Sequence, residues 1–499
     1  MASAARALTP TGRHDRRRSV RGGAAAVVGL VAQVACDGYR GVDESKLPAE
    51  PVCRAYSVAW GDKIPTAAVT PASLPRPPSS SISARLPFRV LDPVGPVSWA
   101  RESQHVLQWT TGGLPAGATV TLAQSSGDDR FEVVQTVPAA AGRVVWAVPA
   151  GGSDLRRVKI TPSWGAPAEV FDVTLTPSQK ASYRWVCVTD RTPFTRRDGA
   201  GSLVFKDRMW LIGGWNPSEG FPRLTGNDVW SSTDGVDWRM DKPQTFRDAS
   251  FDGNADWEGR HTAGYAVHGG KMWIVGGDPL QGRYQPDVWS SSDGQRWERA
   301  AANAPWGQRA LHTTVAFADR LWVIGGQTMP DFVSGAVPYA VYDDVWTSGD
   351  GATWTRLPAD GPRWQARSAI MQGAVLHGRV WIVGGGSYDN PSSGVPARQY
   401  MSDVWSSEDG VRWRREAATT PWSPRQYHSV VAWDGKLWVI AGYSEEGNQA
   451  GGFYSSDGKN WYSTATPWGP RHAASVWVYG DSVWLAAGGN VDVWRLERR

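Results

Sequence analysis

The 499-residue chain has only three cysteines, eight histidines and seven methionines, so it can close at most one internal disulfide. Charge of either sign is not in excess: 52 Lys and Arg face 48 Asp and Glu, and the net +4 is spread along the chain. That excludes the basic stripe expected of a nucleic-acid-binding surface. Long hydrophobic runs are also missing. The most apolar stretch, residues 24–35, is twelve residues long and too short to span a bilayer.

That stretch follows the basic run His14-Asp-Arg-Arg-Arg-Ser-Val-Arg21 and ends in Val34-Ala35-Cys36, so residues 1–36 are expected to be an export signal. Its end resembles a bacterial lipoprotein box, which implies that Cys36 is lipidated and becomes the mature first residue. Gln33 departs from the aliphatic residue that the box prefers, and Arg16-Arg17-Arg18-Ser19 resembles a twin-arginine signal instead. Either reading places the mature protein in the periplasm or at the cell surface, with membrane contact only through a lipid. If Cys36 carries lipid, Cys53 and Cys187 remain to form a disulfide or to stay as two thiols. Residues 37–85, rich in Pro, Ser and Ala, read as a tether.

Alternation of apolar and polar residues begins after the tether and marks residues 86–177 as a β-sandwich of some seven short antiparallel strands. Leu107 and Trp109, Val120 and Leu122, Val158 and Ile160, and Phe171, Val173 and Leu175 form its buried face. The run V-L-Q-W-T-T-G-G-L-P, with the later V-V-W-A-V-P, resembles immunoglobulin-like accessory modules, which implies a spacer.

What the sequence has in abundance is tryptophan, thirty in all, and glycine, fifty-six. Most of the Trp belongs to a repeat whose clearest copy, residues 260–297, reads R-H-T-A-G-Y-A-V-H-G-G-K-M-W-I-V-G-G, a loop, then D-V-W-S-S-S-D-G-Q-R-W. The Trp before the glycine pair recurs at 210, 273, 322, 381, 438 and 484, at intervals of 63, 49, 59, 57 and 46 residues. This register favours Trp as core over Trp as a sugar platform, and a period near 50 marks a propeller. The pattern resembles the kelch repeat over residues 182–499, which implies a six-bladed β-propeller.

A ruler in the repeat predicts how the ring closes. The last Trp of a complete repeat precedes a Pro by eight residues and the next Arg by twelve or thirteen, as in Trp413, Pro421 and Arg425. Trp185, Pro193 and Arg197 fit the same ruler, while the last repeat ends after Asp492-Val493-Trp494 without a fourth strand. The fold is therefore expected to be all-β: a sandwich, then a six-bladed kelch propeller closed by an N-terminal outer strand.

Arg197, Arg260, Arg309, Arg367, Arg425 and Arg471 each open a repeat, on the side of the long loops, and are expected to ring the channel mouth. Two readings stand. Each Arg crosses the glycine pair to the Asp that opens the third strand (Asp228, Asp287, Asp344, Asp403, Asp492), or the ring stays free for anions. The fifth repeat has Ala441-Gly442 for the glycines and Gly452 for the Asp, so Arg425 is expected to be unpaired, with Tyr427, His428 and Tyr443 as companions in a ligand site. The resemblance to peptide-binding kelch domains implies acidic ligands there.

Other chemistry is thinly represented. Asp252, Asn254 and Asp256 alternate as in the first half of a calcium loop, but Trp257 stands where Gly is required and Ala263 where Glu is, so a solvated loop is the alternative. Kelch propellers include copper oxidases of the galactose-oxidase type, whose cofactor needs a Cys cross-linked to Tyr; no Cys follows Cys187, so that cofactor is not expected. The turn S-S-T-D-G-V-D-W at 231–238 resembles a sialidase Asp box, a structural motif. His261, His312, His428 and His472 follow the repeat arginines and read as structural. Two functions remain open: a non-catalytic module that binds a protein, peptide or glycan at the long-loop mouth, without a cofactor, or a carbohydrate-active or isomerising enzyme with its site at the same mouth.

Overall fold

A computed structural model describes residues 88–126, 130–216, 224–279, 283–328, 339–368, 373–387 and 399–499. The expected export signal and tether, with Cys36 and Cys53, lie outside the described residues, as do parts of the long loops. The described chain is all-β, and none of its helices is long and apolar enough to cross a membrane.

Eight strands make the first part among the described residues, against some seven expected. Val90–Asp92, Gln104–Trp109 and Arg143–Ala147 form one sheet; Val97–Ala100, Thr119–Ser125, Glu132–Pro138, Leu155–Pro162 and Glu169–Thr176 form the other. Both contribute to one core around Leu107, Trp109, Val120, Trp146, Val158 and Val173. One pairing departs from the expected antiparallel pattern, because Val97–Ala100 runs parallel to Glu169–Thr176. The chain leaves the first sheet after Asp92 and joins the edge of the second, so it comes to lie alongside the last strand in the same direction.

Residues 183–498 form six four-stranded antiparallel sheets among the described residues. Five are consecutive meanders, such as Gly264–His268, Lys271–Val275, Val288–Ser291 and Glu298–Ala301. The sixth joins Ala474–Tyr479, Ser482–Ala487 and Val493–Arg498 to Tyr183–Thr189, with Trp494 opposite Cys187 and Leu496 opposite Trp185. Cys187 is disulfide-bonded, and its partner lies outside the described residues. The first strands of successive sheets touch in turn, and that of the sixth touches that of the first.

Neighbouring sheets are joined by a repeated contact. In the Ser-x-Asp-Gly turn of the second sheet, Ser291 Oγ accepts the N–H groups of Asp293 and Gly294, and Asp293 Oδ1 accepts those of Gln295 and Arg296. The turn presents Gly294 to the Trp210 ring of the preceding sheet, so closely that a Cβ would lie 2.1 Å from the ring. Gly235, Gly351, Gly410 and Gly458 meet Trp484, Trp273, Trp322 and Trp381 in the same way. The sixth sheet has no such turn. Tyr183 there packs edge-on against Trp438 at 4.7 Å and donates its hydroxyl to Asp434 at 2.5 Å.

Candidate functional site

The repeat arginines lead into the first strand of each sheet, and five of them are committed to ion pairs. Arg197–Asp228, Arg260–Asp287, Arg309–Asp344, Arg367–Asp403 and Arg471–Asp492 close to 2.9, 2.7, 2.7, 2.6 and 2.8 Å. Each Asp also accepts the indole N–H of the Trp two residues on, at 2.7–2.8 Å. This explains the Asp-Val-Trp motif, since residues i and i+2 share a strand face. Burial alone would raise these carboxyls, but the arginines and indoles hold Asp228, Asp344, Asp403 and Asp492 below the usual carboxylate range. In four of these sheets the guanidinium also donates to the carbonyl of the first residue of the glycine pair or its equivalent, as Arg309 does to Gly325 at 3.1 Å. Of the two readings of the ring, paired and free, the geometry is that of the pairs.

The fifth sheet differs for a reason the sequence concealed. Asp and Trp are replaced together, by Gly452 and Tyr454, and the Tyr454 hydroxyl turns to the linker, donating to the Ala181 carbonyl at 2.9 Å and accepting its N–H at 3.0 Å. Tyr462 bonds Gln179 and Arg101 in the same way, and Asn460 accepts the Ala100 N–H at 2.7 Å. Through these bonds the fifth sheet holds the linker and the end of the Val97–Ala100 strand.

Arg425 has no carboxylate within salt-bridge distance among the described residues, as expected, yet it is 3% exposed. It donates to the Ala441 and Ser423 carbonyls and lies over the Phe453 ring. Burial pushes its pKa down to about 10. Its expected companions lie near it but form no open site with it among the described residues. His428 is fully buried and bonds the Val383 carbonyl at 2.7 Å, with its pKa pushed by burial down to about 4. Tyr427 and Tyr443 instead belong to an apolar cluster with Tyr284, Ala310, Leu311 and Ala473.

That cluster marks where the sheets converge. The residue two after the arginine has positive φ in each described repeat: Gly199, Thr262, Leu311, Tyr427 and Ala473. These residues hydrogen-bond from sheet to sheet through the backbone: Leu311 N–H to Thr262, Thr262 to Gly199, Gly199 to Ala473, and Ala473 to Tyr427. The residue one after the arginine is thereby turned to the same place.

There the structure assembles titratable groups that the sequence reading left apart. His261 Nε2 is 3.0 Å from Asp198 Oδ1, its Nδ1 is 3.6 Å from Asp278, and His472 Nε2 is 3.6 Å from the other Asp198 oxygen. His472 Nδ1 contacts Asn448 Oδ1 at 2.6 Å, and Tyr427 and Tyr443 pack edge-on to its ring. Asp198 is 1% exposed, whereas His261 and His472 keep 16% and 15% of their side chains open. Burial would lower the His261 pKa, but the two carboxylates reverse that and raise it to about 10. At neutral pH it is a fixed imidazolium that orients Asp198 and Asp278 rather than a proton shuttle.

A signal for this site existed. Directly after the invariant arginine the residue varies in charge: Asp198, His261, Ala310, Ser368, Gln426, His472. The four histidines are thus of two kinds. Those at the first position join the cluster, while His312 and His428, at the third, are buried between sheets and neutral.

Several oxygens of the calcium-loop candidate are taken by protein donors. Asp256 pairs with Lys242 at 2.7 Å and accepts from Thr245, Asn227 and the Trp257 N–H; Asp252 accepts the Asn254 N–H. No group of three His, Cys, Asp or Glu able to hold a metal occurs among the described residues.

No protein-family profile matches the chain. One curated relative, a leucine-zipper-like transcriptional regulator 1 homolog from Drosophila melanogaster, is 27% identical over 138 residues, which are 27% of this chain and 13% of that protein. The similarity is thus confined to about an eighth of the relative's length.

Proposed function

We propose that this chain is an exported binding module: an immunoglobulin-like sandwich followed by a six-bladed propeller of kelch type, with its ligand at the axial end where Asp198, His261, Asp278 and His472 meet. The cyclic order of the first-strand contacts and the pairing of Tyr183–Thr189 with the last strand support the propeller reading. The observation that carries the site is that Asp198, leading into the first sheet, is met by His261 and His472, which lead into the second and the sixth. Binding is favoured over catalysis because His261 stays protonated well above neutral pH, so it lacks the tuning near 7 that a general base needs. The export signal suits such a role. Lipidation of Cys36 would leave Cys53 to pair with Cys187.

Peptide and glycan arrays probed with the mature protein and with Asp198→Asn and His472→Ala test this reading. Peptide or glycan hits bound by the parent and lost by both variants, each still folded at the assay temperature, are the expected outcome. Hits indifferent to both would place the ligand elsewhere.

A further inference from the structure

A second site lies away from the axis, in a cleft of about 270 Å³ between the sandwich and the fourth and fifth sheets. From the sandwich it is lined by Asp92, Val97, Ser98 and Gln104; from the sheets, by Glu416, Ala418, Thr419 and Lys459. Its walls are fixed. Gln104 N–H bonds the Trp461 carbonyl at 2.8 Å, Arg143 bonds that of Thr420 at 2.9 Å, and Trp99 stacks on His105 at 4.0 Å.

The polar groups are set for a ligand. Glu416 has a wholly buried side chain whose Oε1 accepts from Ser406 at 2.7 Å and Arg414 at 2.6 Å. Its Oε2 is buried without a hydrogen bond, the nearest donor being Lys459 Nζ at 3.6 Å. A buried acceptor left unmade is unfavourable, and a donor reaching it from the cleft would recover that cost. Asp92, across the cleft, accepts only a long 3.4 Å bond from Thr419, and burial raises its pKa.

Charge selects the ligand. Arg379, Arg414 and Lys459 already surround Glu416, and Arg415 faces Asp92, so neither carboxylate calls for another cation. An anion would meet both carboxylates, with only Lys459 among these cations lining the cleft. What fits is a neutral ligand rich in hydroxyls, donating to the carboxylates, accepting from Lys459 and laying a C–H face on Val97, Ala417 and Ala418. The volume is just under the roughly 300–1,000 Å³ of pockets for drug-sized molecules, room for one or two rings. We infer that this cleft between sandwich and sheets is a binding site for a neutral mono- or disaccharide.

The test is saturation-transfer NMR and calorimetry of the mature protein with a panel of neutral mono- and disaccharides, with butylamine and glucuronate as charged probes. A neutral saccharide should bind, and Ala418→Trp, which fills the cleft without touching the ion pairs, should weaken it tenfold or more. Glu416→Gln should weaken it too, while Asp198→Asn should leave it unchanged and so separate this site from the axial one. No binding across the neutral panel, tighter binding of either charged probe, or binding untouched by Ala418→Trp in a protein of unchanged melting temperature would overturn the inference.

Discussion

Asp344 accepts from Arg309 Nη1 at 2.7 Å through one oxygen and from the Trp346 indole at 2.8 Å through the other, so a single carboxylate ties the first strand of its sheet to the third. Both charged side chains are at least nine-tenths buried. Arg309→Ala leaves the carboxylate uncompensated and should cost about 3–5 kcal/mol, read as a loss of denaturation midpoint. Arg425→Met removes a buried guanidinium that has no carboxylate partner among the described residues and keeps most of the stem over Phe453, so it should cost less than half as much. Equal losses would mean that Arg425 is held by a partner as strong as Asp344.

Gly294 and Gly435 separate packing from backbone strain. Both have positive φ, +78° and +64°, but a Cβ at Gly294 would strike Trp210 whereas one at Gly435 meets nothing within 4 Å. Gly435→Ala should cost about 1–2 kcal/mol from the left-handed backbone alone. Gly294→Ala should add an overpacking penalty of about 1–3 kcal/mol as the sheet-to-sheet contact is forced apart. Thermal melts of the two variants check this, and similar losses would show that Trp210 moves aside freely.

The pairing of Tyr183–Thr189 with Val493–Arg498 was legible because the spacing of Trp185, Pro193 and Arg197 copies that of the complete repeats. The five ion pairs were legible as one of two readings, since glycine without a side chain lets an arginine cross to the Asp that opens the third strand, but nothing in the sequence ruled out a ring left free for anions. The cluster around Asp198 was not legible. Asp198, His261 and His472 are separated by 63 and 211 positions, and only the curvature that brings first strands together makes them neighbours. The fifth repeat was misread for a related reason: a missing Asp looks the same whether a ligand or a docked domain has replaced it, and only the Tyr454 hydroxyl on Ala181 tells them apart.

The outer strand of the sixth sheet can be tested by deletion of residues 182–196. The variant should expose Val493–Arg498 as an edge, lose Tyr183 from Trp438, and melt far below the parent or aggregate. Cys187→Ser measured alongside gives the share that belongs to the disulfide. A deletion variant that melts like Cys187→Ser would show that this strand is dispensable.

Stability should fall on both sides of neutrality, through different histidines. Burial pushes His105, His312 and His428 down to about 3, 3 and 4, while unfolded histidine titrates near 6.5. Below 6.5 the unfolded chain therefore binds protons that the folded chain refuses, so stability that is complete above that pH drains as pH falls toward 4. His261 has the opposite sign. Its folded pKa is raised to about 10, so its contribution is whole below 6.5 and is lost as pH rises from there to 10. Each group changes stability by up to about 1.4 kcal/mol per pH unit while it titrates. Melting temperatures from pH 5 to 9.5, a window above the range of ordinary carboxylates, should peak near pH 6.5–7. His261→Gln should flatten the alkaline limb and leave the acid limb in place, whereas His428→Gln should leave the alkaline limb in place and make the acid limb shallower by roughly a third, since His105 and His312 still contribute. An alkaline limb that survives His261→Gln would mean that the Asp198 and Asp278 carboxylates do not hold the proton on this ring, and the axial cluster would then lack the fixed imidazolium on which its binding role rests.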